Sequence, residues 1–317
     1  KNTNNLTTLI NNNLNFITKD FISFNGIINN FGFYFKNTNK VGKKVSTLKN
    51  SPQVNLMNII NFESKYPLIK IDENHYNSLI PKLSFRLNPT DMKNYKNEDR
   101  KINTTNIFSI NRLGLDDTFE EGRSLTLGFD YKKESLKDIN KFFEFKLASV
   151  LRDTDEKFIP TSSTIGQKSS NIFGTTHSNF SRFLNLNYNF ALDNNLETFE
   201  YNSIGLNFNF EKITTNFDFI EENGKMGDSN ALENTTTFNF DNDNYLSFKT
   251  RRNRKINLTE YYDLVYEYKN DCLTAGIKYK KTYYQDRDYK PKEDLLFTIT
   301  LFPLTQYEQK VDNNLYN

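Results

Sequence analysis

Alternation with a period of two is the feature that most limits what this chain can fold into. From Leu184 the even positions read Leu184, Leu186, Tyr188, Phe190 and Leu192, while the odd ones read Asn185, Asn187, Asn189, Ala191 and Asp193. Side chains alternate across a strand but turn by about 100° per residue along a helix, so only a strand keeps one set on an apolar face and the other on an amide face. The pattern recurs at Leu125, Leu127, Phe129 and Tyr131 against Ser124, Thr126, Gly128 and Asp130, and at Phe143, Phe145 and Leu147 against Glu144, Lys146 and Ala148. It recurs again at Leu83, Phe85 and Leu87 and at Phe31, Phe33 and Phe35.

The stretch from Ile204 to Phe219 tests the reading, because its apolar positions change from even (Ile204, Leu206, Phe208, Phe210) to odd (Ile213, Phe217, Phe219). A two-residue turn at Glu211 and Lys212 repairs the change: Phe210 then faces Ile213, Phe208 faces Thr215, Leu206 faces Phe217 and Ile204 faces Phe219 on one side of an antiparallel hairpin. Towards the C-terminus the apolar sets lengthen to Leu258, Tyr262, Leu264, Tyr266 and Tyr268, then Leu273, Ala275, Ile277 and Tyr279, then Leu295, Phe297, Ile299 and Leu301. After Phe210 short connections (Glu211 to Lys212, Asp241 to Asn244, Lys269 to Cys272) alternate with longer polar ones (Glu221 to Glu233, Arg251 to Asn257, Gln285 to Asp294). In outer-membrane barrels the short turns are periplasmic, which would put the C-terminus in the periplasm. Upstream of Asp193 the connections give no such alternation.

Composition now has a place. Only 36% of the 317 residues are hydrophobic, yet the chain has 29 Phe, 18 Tyr and 48 Asn, and its mean hydropathy is −0.71. An ordinary globule is disfavoured, but a barrel needs only alternate residues to face lipid. AT-rich codons would enrich Asn, Lys, Ile, Phe and Tyr, though they cannot arrange parity. No run approaches the roughly 18 apolar residues of a membrane helix. The 41 basic and 39 acidic residues leave +2, so nucleic acid is not an expected partner. A soluble sandwich also alternates, but here the strands come in series without a second set of apolar faces. The expected fold is all-β, an antiparallel transmembrane outer-membrane β-barrel, with about fifteen strands of a larger barrel present.

Chemical motifs are sparse. Asp241, Asn242, Asp243 and Asn244 begin like a calcium loop, but no Gly follows at the sharp turn and Arg252 stands where a bidentate Glu is needed, so a strand turn is expected. Arg251, Arg252, Arg254 and Lys255 fall in an outer loop, where they could pair with phosphates of lipid or sugar headgroups or simply be solvated. The acidic loop Asp116, Asp117, Glu120 and Glu121 has no neighbouring His, Cys or Gly-rich turn to make a catalytic dyad. One cysteine, Cys272, and two separated histidines, His75 and His177, exclude an internal disulfide and argue against a metal cluster. Neither an enzyme nor a cofactor is expected.

Two stretches go beyond alternation. Ile107 to Tyr131 reads IFSINRLGLDDTFEEGRSLTLGFDY and resembles the signature of the lipopolysaccharide-assembly outer-membrane protein family (LptD, also called OstA). The matching positions are Phe108, Asn111, Arg112, Gly114, Asp116, Glu121, Gly122, Arg123, Gly128 and Tyr131; Asp117 departs, since the family often has Arg there. Tyr261 to Pro303 resembles the family's C-terminal strands through Cys272, Gly276, Tyr279, Asp286, Arg287, Asp288, Pro291 and Leu295 to Leu301. Leu79 to Pro89 resembles its L-x-P-x-x-x-x-R-x-x-P stretch.

The resemblance implies a large outer-membrane barrel preceded by a periplasmic jellyroll. Residues 1–317 would be the C-terminal portion of that barrel, with the jellyroll and earliest strands preceding Lys1. Such a barrel receives lipopolysaccharide from a periplasmic bridge protein and delivers it to the outer leaflet. A lipoprotein plugs its lumen. Sugar passes through that lumen while the acyl chains leave sideways into outer-membrane lipid between the first and last strands, the last being represented by Leu295, Phe297, Ile299 and Leu301. The resemblance also implies an interdomain disulfide for Cys272, to set beside a free thiol in a turn. Two other functions fit the strands alone: a porin-like diffusion channel, and a soluble β-rich surface or adhesin module.

Overall fold

The computed structural model describes residues 6–44, 50–283, 291–301 and 305–311. Among them are eighteen strands, all in one antiparallel sheet, and the chain divides into two compact units. The first comprises Lys1–Leu136, Glu144–Thr175 and Ala191–Phe199. It contains β1 (Leu6–Ile17), β2 (Phe21–Ile22), β3 (Ile28–Lys43), β4 (Gln53–Lys65), β5 (Leu68–Ile71), β6 (His75–Asn88), β7 (Gly122–Ser135) and most of β8 (Phe142–Arg152). β1 and β2 pair with β3, β3 with β4, β4 and β5 with β6, and β6 with β7.

The short strands are continuations. β4 and β5 keep one register against β6, from Lys65 opposite Lys82 to Leu68 opposite Leu79. The ladder breaks between them because Pro81, opposite Tyr66, has no N–H to return, so that pair keeps only the bond from Tyr66 N to Pro81 O at 3.0 Å.

The second unit comprises Lys137–Phe143, Thr176–Phe190 and Glu200–Asn317. It takes in the end of β9 (Ile172–Ser181) and most of β10 (Leu184–Leu192) and β11 (Phe199–Asn209). These are followed by β12 (Ile213–Glu222), β13 (Ser229–Asn239), β14 (Asn244–Asn253), β15 (Leu258–Lys269), β16 (Leu273–Thr282), β17 (Lys292–Leu301) and β18 (Thr305–Val311). From β11 to β18 each strand pairs with the next.

The hairpin expected from parity forms in that register. Ile204, Leu206 and Phe208 lie opposite Phe219, Phe217 and Thr215, and Phe210 N donates to Ile213 O at 2.8 Å. The turn at Asp241 is a carboxylate-capped hairpin turn, in which Asp241 Oδ1 accepts from the N–H groups of Asp243 (2.9 Å) and Asn244 (2.7 Å). Leu295–Leu301, expected as the last strand, is flanked on both sides, since β18 pairs with β17 beyond it. β18 escaped the sequence reading because its TQYEQKV has no apolar alternation. It also carries the described chain back from the short-turn end, so Val311 lies at the opposite end from Leu301.

The faces are inverted relative to a soluble sheet. In the first unit Leu79, Phe85 and Leu127 are exposed, whereas the alternate residues Ser84, Arg86, Ser124 and Thr126 are buried. In the second unit Phe217, Phe248, Leu264, Ile277, Phe297 and Ile299 are exposed, and their register places them on one face. Water would not tolerate so large an apolar face, but hydrocarbon would. The all-β outer-membrane barrel class read from the alternation is the one these strands show.

The polar face of the first unit is covered by its own connections. In an antiparallel meander the segments 89–121, after β6, and 153–171, after β8, leave the same end, and they bond to each other. Tyr95 N donates to Phe158 O at 2.9 Å and Thr161 N to Lys96 O at 3.1 Å. Their Met92, Ile102, Ile107, Leu113, Leu115, Ile159 and Ile165 are buried together with Met57 and Ile59 of β4 and Ala148 and Val150 of β8. This is a hydrophobic core set on a polar wall, with each fully buried aliphatic side chain contributing about 1.5–3 kcal/mol.

Face inversion makes opposite demands on neighbouring residues. Leu127→Arg on the exposed face of β7 should cost about 2–4 kcal/mol of folding stability in lipid. Thr237→Arg, opposite Thr214 and Ser247 on the polar face of β13, should cost less than about 0.5 kcal/mol. Denaturant titration of vesicle-reconstituted protein measures both, and equal losses would refute the assignment of faces.

Candidate functional site

The residues of the 107–131 signature fold as a turn that aims one arginine inwards. Asn111 holds the turn with both ends of its amide, Nδ2 donating to Leu115 O at 2.8 Å and Oδ1 accepting from Leu115 N at 3.0 Å. Gly114 closes it at φ +63, a backbone region that glycine enters without a Cβ clash. Lys36 Nζ donates to Asp116 O, fastening the turn to β3.

Arg112, now buried, forks onto Glu120: Nε donates to Oε2 at 2.6 Å and Nη2 to Oε1. Its other donors reach Thr126 Oγ1 (2.9 Å) and Ser124 Oγ (3.1 Å) on the polar face of β7. Two more guanidiniums meet the same carboxylate. Arg86 of β6 donates from Nη1 to Glu120 Oε2 at 3.2 Å and from Nη2 to Ser109 O at 2.5 Å. Arg152, ending β8, donates from Nη2 to Glu120 Oε1 and from Nε to Ile165 O at 2.6 Å.

All four side chains are at least 96% buried. Burial alone would raise the Glu120 carboxyl, but Arg112, Arg152 and Arg86 outweigh it and hold it down at about 2. Glu120 therefore stays ionised and acceptor-only, at the meeting point of both long connections and two strands.

The other signature residues surround this cluster. Gly122 has φ +82, and a Cβ there would stand 2.3 Å from Glu156 Oε1. Arg123 is outside the cluster, at 2.9 Å from Asp153. Gly128 on the polar face leaves room for Phe108, whose Cζ would be 3.0 Å from any added Cβ.

Asp117, where the family often has Arg, is matched by an ion pair to Lys93 and by a 2.5 Å hydrogen bond from Tyr95 Oη. That bond, with partial burial, pushes the Tyr95 phenol up to about 12. Partial burial works to raise Asp117, but Lys93 and Tyr95 prevail and hold it low. Glu156 is pushed up by burial and by its contact with Glu121, and Glu121 itself accepts from Met92 N at 2.5 Å.

Sequence reading singled out Arg112 and its turn but treated Glu120 as part of an inert acidic loop and missed Arg152. The available signal was parity, since Arg86 and Arg152 occupy the polar-face parity of β6 and β8, the face that Ser84 and Ala148 share.

The remaining candidates lie elsewhere in the chain. Arg251 pairs with Glu260 at 3.0 Å and Lys255 with Asp228. Arg252 lies opposite Leu232 on the exposed face, and Arg254 sits 5.4 Å from the Phe219 ring centroid. The basic group is thus split between carboxylate partners and the rim of the apolar face. Cys272 is exposed in the β15–β16 turn, its N–H donating to Asn270 Oδ1 at 3.0 Å. Leu295, Phe297, Ile299 and Leu301 stand on the exposed-face parity of β17. Asp286, Arg287 and Asp288 lie outside the described residues. Among the described residues no group of three or more His, Cys, Asp or Glu side chains could hold a metal ion.

Strands with one exposed apolar face and, in the first unit, a polar face covered by folded-in connections define an outer-membrane protein of the strand-spanning class. The family model for LptD, LPS transport system D, matches residues 30–238, and the chain belongs to that family. The match includes the whole arginine–Glu120 cluster, and the family is one of transport components. No curated protein matches the chain. Among solved structures, two mutants of Rh. blastica porin align at 10% identity and TM-score 0.35, covering 87% of this chain and 90% and 89% of theirs.

Removing the shared carboxylate would leave three buried guanidiniums facing one another. Glu120→Gln should destabilise the 89–121 and 153–171 connections by about 3–5 kcal/mol, read as faster proteolysis within them while β11–β18 stay protected. The pH dependence has a definite sign. A carboxyl held at about 2 rather than 4.5 contributes stability above pH 4.5 and loses it as pH falls towards 2. Protection of the two connections should hold from pH 7 to about 5 and decline below it in the wild type, whereas Glu120→Gln should lack that decline.

Proposed function

We propose that this chain is the barrel portion of an outer-membrane lipopolysaccharide translocon. It takes lipopolysaccharide from a periplasmic bridge protein and delivers it to the outer leaflet, the sugar following the polar face and the acyl chains leaving sideways, without covalent chemistry. The observation that carries this reading is the pairing of inverted faces with a polar wall closed by the Glu120-centred connections in a member of the LptD family. Acyl chains gain by staying against the exposed Leu and Phe, whereas a hydrated glycan needs polar partners.

The short turns at 210–212, 240–243 and 270–272 face the periplasm in this reading. Cys272 then stands where a cysteine of a periplasmic domain can oxidise with it. The half-buried polar face of β12–β16 receives the plugging lipoprotein. Arg252 and Arg254, at the far rim, meet headgroup phosphates.

Lateral release takes place at the C-terminal strand pair. β17 supplies the apolar residues Leu295, Phe297, Ile299 and Leu301, and β18 supplies the outer strand. Support comes from β17 itself, whose Phe297, Ile299 and Leu301 are exposed on the apolar face directly beside β18.

Photoreactive residues at Phe297 and Gln309 should crosslink lipopolysaccharide in cells several times more than one at the equally exposed Phe217. Equal yields would overturn release at this pair. Absence of adducts at every position, polar face included, would overturn the translocon reading.

A further inference from the structure

Below the Glu120 cluster, the polar face of the first unit carries two like charges in directly opposed positions: Lys65 of β4 faces Lys82 of β6. Such a pair is unfavourable in itself, and the surroundings offset it. Lys65 lies 3.1 Å from Asp20, and Lys82 pairs with Asp130. Asp20 also accepts from Asn30 Nδ2 at 3.3 Å, so one carboxylate positions two side chains.

Lys65, Lys82, Asn30, Glu63, Ile28 and Phe108 line a cavity of about 220 Å³. One wall is the Phe108 ring, whose centroid is 5.6 Å from the Lys82 ammonium. Glu63 Oε1 accepts from Asn61 Nδ2 at 2.9 Å, on the side of Arg86.

The chemistry of this cavity is mixed. Each ammonium has three donors, of which its carboxylate takes one. Asn30 offers a donor and an acceptor, and Glu63 offers acceptor oxygens. The lysines are offset by Asp20 and Asp130, with Glu63 beside them, so no surplus of positive charge is left to attract a free anion. Ile28 and Phe108 give an apolar side. The cavity is smaller than the roughly 300–1,000 Å³ of sites that enclose drug-sized molecules, and therefore suits a single small ring.

We infer that this cavity is a subsite for one uncharged sugar ring, its hydroxyls bonded by Lys65, Lys82, Asn30 and Glu63 and its C–H face laid on Phe108. The inference rests on the transport reading for its biological ligand, a sugar of the transported glycolipid, but the binding itself is independent of transport.

The test uses the full chain in detergent with methyl glucoside as the probe and saturation-transfer NMR as the readout. The sugar should receive saturation from the protein to a similar extent at low and high salt, because no net charge drives binding. Asn30→Ala and Lys65→Gln, both at the cavity rim, should each weaken the effect about fivefold, the equivalent of one lost hydrogen bond. Lys65→Arg should retain it.

Unchanged transfer in both weakening variants would overturn the subsite. So would displacement of the sugar by inorganic phosphate, which would mark an anion site instead. Failure of the lipopolysaccharide crosslinks described above, with methyl glucoside still bound, would refute the transport reading and leave the subsite standing.

Discussion

A carboxylate moved out of water must find donors for both its oxygens, and a carbonyl buried with it must find one too. In the first unit the same three guanidiniums meet both needs. Arg112, Arg86 and Arg152 each place donors on Glu120, and each sends another to a carbonyl of a long connection, at Ile107, Ser109 and Ile165 respectively. The planar fork of arginine makes this division possible, because its donors point in fixed, divergent directions. The connections at 89–121 and 153–171 can therefore lie on the polar wall with these carbonyls satisfied, although they contain little regular structure.

This arrangement reconciles two demands on one sheet. The outer face must be apolar to meet lipid, which leaves the inner face polar and unable to supply a conventional core. The first unit brings its core in from the connections. Ile107, Leu113, Leu115, Ile159 and Ile165 are fully or almost fully buried, as are the wall residues Met57, Ile59, Ala148 and Val150. Gly128 serves the same end, since a Cβ there would collide with Leu147 O and Ala148 of β8 and crowd Phe108.

The strands were legible from the sequence because face and parity are coupled: a residue exposed to lipid must be apolar, and its neighbours then point the other way. That coupling gave the register of β11 and β12 residue by residue. It failed where the coupling is absent. β18 has no run of alternating apolar residues, with Val311 its single aliphatic side chain, and β2 and β5 are too short to show a period. The connections were opaque for a different reason. Their burial depends on contacts between residues far apart in the chain, such as Glu120 with Arg152, and no spacing rule ties a loop carboxylate to the last residue of a strand. The family resemblance marked Arg112 and Gly114 but not the carboxylate that gives them a purpose.

The cluster contains three cations and one anion, and this imbalance determines how it contributes. A buried ion pair adds little net stability, since desolvation cancels much of the attraction, and here the arginines also repel each other. The Nε of Arg86 has no hydrogen-bond partner, so this arginine is the least well served of the three. Loss of Arg86 would relieve repulsion on Arg112 and Arg152 while Glu120 kept two guanidiniums. Loss of Glu120 would remove the one carboxylate to which all three are bonded. The carboxylate is thus the critical member although it is outnumbered, and the two connections it joins depend on each other: neither can lift off the wall without leaving buried guanidiniums facing carbonyls that have gone.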